Sequence, residues 1–340
     1  MSVYRYLVLI FLGSIFGEYK IGGIFHLTGF ASHWGKSELD GARLSLKDKS
    51  HFRLLVEDAK SETRECVSSF KKLVEVDKVD VVLGPTWTAC YLALGPLADR
   101  YRIPVLAPSG TDWANQPVHE YRFGLFYNPK DAVVKAVEYV RSKNLKSINV
   151  VYTDEPFQVE MYKHLVDIAQ SAGIKVSSEK IKKGETNFGI ILKKLPKAES
   201  FTCLCDKAEF LLFQKALMLY DSKIPNFYLG GLNAEILQAG LDSTVFVDYF
   251  VASEFKSKFI EHYGYEPAPS SLMAYEVVNF LADLWEKQKN IKLTPDLIRS
   301  HVYTGDYLTI KFNRRNGIDW GDPKKNFILV DKNKNLISLQ

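Results

Sequence analysis

The sequence predicts an α/β fold: two doubly wound parallel-sheet lobes in series, joined by a hinge. Three observations carry this. Short apolar runs of strand length alternate with amphipathic segments of helical period, the pattern of a parallel sheet covered on both faces. The alternation stops at Phe126-Tyr127-Asn128-Pro129 and starts again. The chain has 340 residues, enough for two such units. Its 46% hydrophobic and 25% charged residues exclude a disordered, collagen-like or mucin-like protein. Lys+Arg number 44 against 40 Asp+Glu and are spread along the chain, so no electrostatic footprint for nucleic acid is present.

The first residues stand apart. Arg5 gives the N-terminus a positive charge, and residues 7–16 (LVLIFLGSIF) form a mostly apolar run. That run is too short for a bilayer-spanning helix, which needs about 20 residues. With Gly17 after it, this is the layout of a secretory signal peptide, although Ile15 falls where a small residue is usual. A buried N-terminal strand is the alternative. Residues 1–17 are expected to be removed, leaving a mature chain that starts near Glu18. No cysteine follows the apolar core, which argues against a lipid anchor.

Residues 19–27 then read as a strand, 28–35 as a polar loop, 37–47 as a helix with Leu39, Ala42 and Leu46 on one face, and 52–56 as a strand. Cys66, Phe70, Leu73 and Val74 mark a second helix. Residues 79–83 are a strand ended by Gly84-Pro85, 92–101 a helix and 104–106 a strand. After the break come helix 132–142, strand 147–152, helix 159–172 closed by Gly173, strand 176–181, helix 188–195, strand 200–204, helix 210–220 and strand 226–229. Residues 246–252 look like a second crossing between lobes, followed by helices 254–263 and 272–287. The tail, 307–339, reads as strands with hairpin turns at Asn316-Gly317 and 331–335. No long Gly/Ser linker joins the halves, which favours a hinge over a tether.

In an open α/β sheet, ligands bind at the carboxyl ends of the strands. Three first-half loops sit there: Thr28–Gly35, Gly84–Ala89 and Ala107–Asp112. All are rich in small hydroxyl residues, and two contain Trp. Backbone N–H groups at a helix start plus hydroxyls suit a carboxylate, with the indoles as an apolar wall. For any one loop, helix capping and packing explain the same residues.

The segment VDVVLGPTWTACYLALGPLADRYRIPVLAPSGTD resembles the core of the type I periplasmic solute-binding proteins. GGIFHLTGFASHWGKSELDGARLSLKD is similar to the start of their leucine/isoleucine/valine-binding branch, and MAYEVVNFLADLW and GDYLTIKFNRRNGID follow in the same order. The resemblance implies two lobes joined by a three-crossing hinge and closing on a small solute. The crossings are expected near Tyr127, Val251 and Ile310, so that 18–126 plus 252–310 form one lobe and 127–251 plus 311–340 the other. It also implies a monomeric, soluble, periplasmic protein that hands an amino acid or related carboxylate or amide to an ABC transporter permease, with no cofactor, metal or nucleic acid. A clamp of the same kind coupled to a signalling partner is the alternative.

Carried over by position, Thr88 would give its hydroxyl and N–H to a ligand carboxylate. Ser109 would offer its carbonyl and Thr111 its hydroxyl to a ligand ammonium, and Trp34 would line the side-chain pocket. The second lobe departs from the pattern. Phe157 stands where an aromatic with a hydroxyl is common, Asp206 where Tyr is common, and Leu232 where an acid usually meets the ammonium. Either the ligand lacks an amine, or Asp206 or Glu235 supplies that charge. Asp206 is equally readable as a helix N-cap.

Other signals are weaker. Cys203-Leu204-Cys205 puts two cysteines on one face of a strand, half of a metal set with no second half; buried or free thiols are expected. A Cys66–Cys90 disulfide is permitted by export, but nothing in the sequence fixes the distance between them. His26 and His33 flank the first loop, yet no nucleophile elbow, P-loop, HExxH or GxGxxG accompanies them. An enzyme is not expected.

Overall fold

The computed structural model describes residues 18–109, 117–232, 234–249, 251–288, 292–319 and 327–338. The expected signal peptide, residues 1–17, and the candidate Thr111 lie outside them.

Two sheets form the two lobes. The first is built of β1 (Tyr19–Phe25), β2 (Phe52–Asp58), β3 (Val81–Leu83), β4 (Val105–Ala107) and β5 (Arg122–Gly124), all parallel, in the order β2-β1-β3-β4-β5. Its strands read as apolar runs because both faces are covered. Ile21, Phe25, Val81, Leu83 and Leu106 point to one face, under α1 (Ser32–Leu46) and α10 (Pro269–Gln288). Ile24, Val82, Val105 and Ala107 point to the other, under α2 (Thr63–Glu75) and α3 (Thr88–Tyr101). The change of face at every residue is the two-residue strand period.

The second sheet is built of β6 (Ser147–Thr153), β7 (Lys175–Ile181), β8 (Ser200–Leu204), β9 (Asn226–Leu229), β10 (Thr244–Tyr249) and β13 (Phe327–Val330), in the order β13-β10-β9-β8-β6-β7 with only β13 antiparallel. Ile148, Val150, Leu204, Phe227 and Val247 bury one face with α4 (Pro129–Ser142) and α5 (Pro156–Ser171). Val151, Phe201, Cys203, Tyr228 and Phe246 bury the other with α6 (Phe188–Lys194), α7 (Lys207–Asp221) and α8 (Ala234–Ala239).

Between the lobes the chain passes through an aromatic cluster. The Tyr127 and Tyr249 rings stack at 5.3 Å, and Phe126 and Phe327 lie 5.0 and 5.2 Å from Tyr249. Residues 246–249, read above as part of a crossing, belong to β10 and pair with β13 and β9. After Tyr249 the chain returns to α9 (Ser253–Tyr263), whose Phe255 and Phe259 pack against Leu44 of α1. Phe312 and Ile318 pack into the first lobe's core, with Phe312 5.0 Å from Phe123 and Gly317 bridged to Gly124.

Both hairpin turns of the tail form, shown by the antiparallel bridges Phe312 to Ile318 and Val330 to Leu336. Four short elements were not anticipated: β5, α8, α11 (Pro295–Ser300) and β11 (Tyr303–Thr304). Together β11 and β12 (Thr309–Ile310) form a small antiparallel ribbon.

The cysteines require a correction. Cys203 and Cys205 do share a face, as their spacing requires, but they are bonded to each other and are not free thiols. Cys66 and Cys90 are bonded as well, joining α2 to α3. Among the described residues no cysteine is free.

Candidate functional site

The carboxyl ends of the two sheets face each other across a cavity of about 500 Å³, within the 300–1,000 Å³ range usual for small-molecule sites. Five helices of both lobes begin at its wall, α1 at Ser32, α3 at Thr88, α5 at Pro156, α7 at Lys207 and α10 at Pro269. Their N-terminal N–H groups and dipoles favour negative charge there.

The loop after β1 is fixed from below. Asp58 accepts the Thr28 hydroxyl at 2.7 Å and the Leu27 N–H at 2.9 Å, and Ser61 Oγ accepts the Ala31 N–H at 3.0 Å. This holds Phe30 and Trp34 at the wall. The loop after β3 supplies Thr86, Trp87 and Thr88. The Thr86 hydroxyl donates to the fully buried Glu38, whose carboxyl is pushed up to about 8 by burial. Trp87 Nε1 donates across the cleft to Glu155 at 3.3 Å.

Of the residues singled out from the sequence, Trp34, Thr88, Phe157 and Asp206 all line the cavity. Thr88 opens α3 and is buried. After β4 it is Pro108 that reaches the wall, while Ser109 is fully buried beside it with its Oγ lacking a hydrogen-bond partner.

Asp206 is the N-cap residue of α7, but its side chain does not cap. Its carboxylate accepts Lys183 Nζ at 2.9 Å and Gln158 Nε2 at 3.2 Å. Burial pushes its carboxyl up, opposed by the Lys183 charge and hydrogen bond. Glu235, the other candidate for the ammonium, is exposed and paired with Lys207 at 2.8 Å. Leu232 lines the wall as an apolar residue.

Sequence reasoning missed Lys183. It lies in Lys182-Lys183-Gly184, just past β7, and reads as a solvated loop. In the fold its ammonium stands 3.0 Å from the Phe30 ring centroid and 4.8 Å from that of Trp87. Glu155 and Glu209 also line the wall; Glu209 accepts the Gly184 N–H at 2.8 Å, and its other oxygen is buried without a partner.

The two histidines separate. His26 is fully buried, neither ring nitrogen has a partner, and burial lowers its pKa to about 4. Among the described residues it forms the one group of possible metal ligands, with Cys66 and Cys90, all within 4.8 Å; the disulfide already consumes both sulfurs. His33 is exposed at the cavity rim.

Among the described residues no helix is long and apolar enough to cross a membrane.

Comparison with known proteins agrees with this geometry. The leucine-binding protein LivK of Thermotoga maritima superposes with a TM-score of 0.78 at 18% identity, covering 92% of this chain and 94% of that one. The branched-chain amino acid transporter substrate-binding protein LivJ of Streptococcus pneumoniae, solved with isoleucine, gives 0.78 at 20% identity over 94% and 98%. An ABC transporter solute-binding protein of Rhodopseudomonas palustris, solved with 3,4-dihydroxybenzoic acid, gives 0.76 at 15% identity over 92% of each chain. The family model described as periplasmic binding protein matches residues 18–296. With two parallel-sheet lobes closing on a cavity between their strand ends, the chain belongs to the periplasmic binding proteins and has the type I fold.

Proposed function

We propose that this protein is the extracytoplasmic solute-binding component of an ABC importer, and that it clamps a small amino acid or related carboxylate or amide between its lobes. The observation that carries the reading is the cavity itself, walled by both lobes and ringed by helix N-termini. A solute that touches both walls stabilises the closed arrangement over the open one by its differential contacts. Closure is a hinge motion at the aromatic crossings, and a permease that recognises the closed form takes the solute. The protein acts as a periplasmic monomer, binds without turning its ligand over, and needs no cofactor.

In this reading Thr88 holds the carboxylate at the start of α3, and Trp34 and Phe157 wall the side chain. The packing of Phe312 and Ile318 on the first sheet supports a first lobe that extends past the Ile310 boundary, and Phe327–Val330 pairs with β10 in the second. The two solved relatives whose ligands are an amino acid and a hydroxylated benzoic acid set the chemical range to screen.

The test is a thermal-shift screen of the purified mature protein against amino acids, amides and small carboxylates. A ligand that binds only the folded clamp raises the melting temperature by mass action, about 2.7 kcal/mol at 100 times its Kd. A saturable shift from at least one such solute is expected. No shift across the panel would overturn the reading.

A further inference from the structure

We propose that Lys183 is a built-in occupant of the cleft's ammonium position, so that the solute this protein clamps is a carboxylate without an amine. The inference rests on the clamp reading above and narrows its ligand. The groups around the Lys183 ammonium form a cation box. The Phe30 ring lies 3.0 Å away and the Trp87 ring 4.8 Å away, both from the first lobe. The Asp206 carboxylate, from the second lobe, lies at 2.9 Å. Two aromatic faces and a carboxylate are what a cleft uses to hold a ligand's ammonium. Here the chain fills that place with its own side chain, reaching across from the loop after β7.

Most other positions that could receive an amine are already engaged. Gln158 donates to the second oxygen of Asp206. Leu232 carries no charge, and Glu235, itself off the cleft wall, is paired with Lys207, which lines it. Glu155 receives the Trp87 indole N–H, and Glu209 receives the Gly184 N–H through one oxygen while the other stays buried without a partner. The first-lobe wall is different in kind. Its described residues, from Phe30 to Trp34, Thr86 to Ala89, Pro108 and Phe126, include no carboxylate, and α1 and α3 point their N-termini at it. A ligand carboxylate therefore docks on the first lobe, with its apolar body between Trp34, Phe157 and Leu232. An α-amino acid would bring a second ammonium to a cleft whose box is already full. It would have to expel Lys183 and leave that charge unpaired, a cost that an amine-free acid avoids.

The experiment is calorimetric titration of the full mature chain with matched pairs: leucine against 4-methylpentanoate, and phenylalanine against 3-phenylpropanoate. The wild-type protein is expected to bind the amine-free member at least about 10-fold more tightly. Lys183→Ala empties the box. That variant is expected to reverse the preference and to bind propylammonium, which the wild type ignores. Lys183→Arg keeps a cation in the box and is expected to keep the wild-type preference, which separates the effect from a general loss of folding.

Wild-type protein that binds the amino acid as tightly as its amine-free partner overturns the Lys183 assignment while leaving the clamp intact. So does a folded Lys183→Ala protein that ignores propylammonium. A wild-type protein that binds none of the four acids overturns the clamp reading for this ligand class, and the inference falls with it.

Discussion

Replacing Gly231 by Ala isolates closure from the chemistry of the ligand. Gly231 belongs to the second lobe, in the loop after β9, and faces Trp34 of the first lobe across the cleft. An added Cβ would stand 2.5 Å from both Cη2 and Cζ2 of the Trp34 ring, and its three nearest atoms all belong to that ring. The backbone there is outside the left-handed region, so alanine brings no conformational strain of its own. The effect is a wedge between the lobes. Overpacking by one methyl costs about 1–3 kcal/mol, or about 5–150-fold in the ratio of closed to open protein. When binding requires the closed form, the apparent Kd rises by the same factor.

Calorimetry with a solute that shifts the melting temperature reads this directly. Gly189→Ala, on α6 where nothing lies within 4 Å of the new Cβ, is the control and is expected to leave affinity unchanged. If Gly231→Ala binds as tightly as the wild type, Trp34 and Gly231 do not meet in the bound state, and the closed cleft described above is not the binding form.

Three further predictions follow from the same geometry. Thr88→Ala is expected to weaken a carboxylate ligand by about 10–150-fold, the loss of one hydrogen bond to a charged group worth roughly 1.5–3 kcal/mol; an unchanged Kd would reduce Thr88 to a packing residue. Glu38 is held above its ordinary value of 4.5, at about 8, so its contribution to stability is complete below pH 4.5 and is lost as pH rises through about 8; Glu38→Gln should flatten that decline in a series of melting curves, and parallel curves for the two proteins would refute the assignment. The double variant Cys66→Ala/Cys90→Ala removes a cross-link between residues 24 apart and is expected to cost about 3.5 kcal/mol by the chain-entropy relation, read by urea denaturation, whereas an unchanged midpoint would mean that the bond does not form in solution.

Much of the fold was legible in the sequence because parallel strands buried on both faces leave continuous apolar runs, as in Val81–Leu83 and Val105–Ala107. β5 escaped because Arg122-Phe123-Gly124 holds a single large apolar residue; its arginine is buried by stacking on Tyr91, 4.5 Å from the ring centroid. The first-lobe wall was readable from its loops, since helix starts and hydroxyls are local signals.

The second-lobe wall was not. Lys183 enters the cleft only because β7 ends at the sheet edge beside β6, and its partners Phe30, Trp87 and Asp206 are distant in sequence. A lysine pair before a glycine carries no mark of such an environment. The Cys203–Cys205 bond was missed for a related reason: sequence shows a shared face, but not that two sulfurs on it turn toward each other.

Small-angle X-ray scattering of the mature protein, titrated with a solute that raises its melting temperature, tests the two-lobe clamp most directly. The radius of gyration is expected to fall as solute is added and to saturate at the concentration where the thermal shift saturates. A scattering profile that stays the same at full occupancy would contradict it.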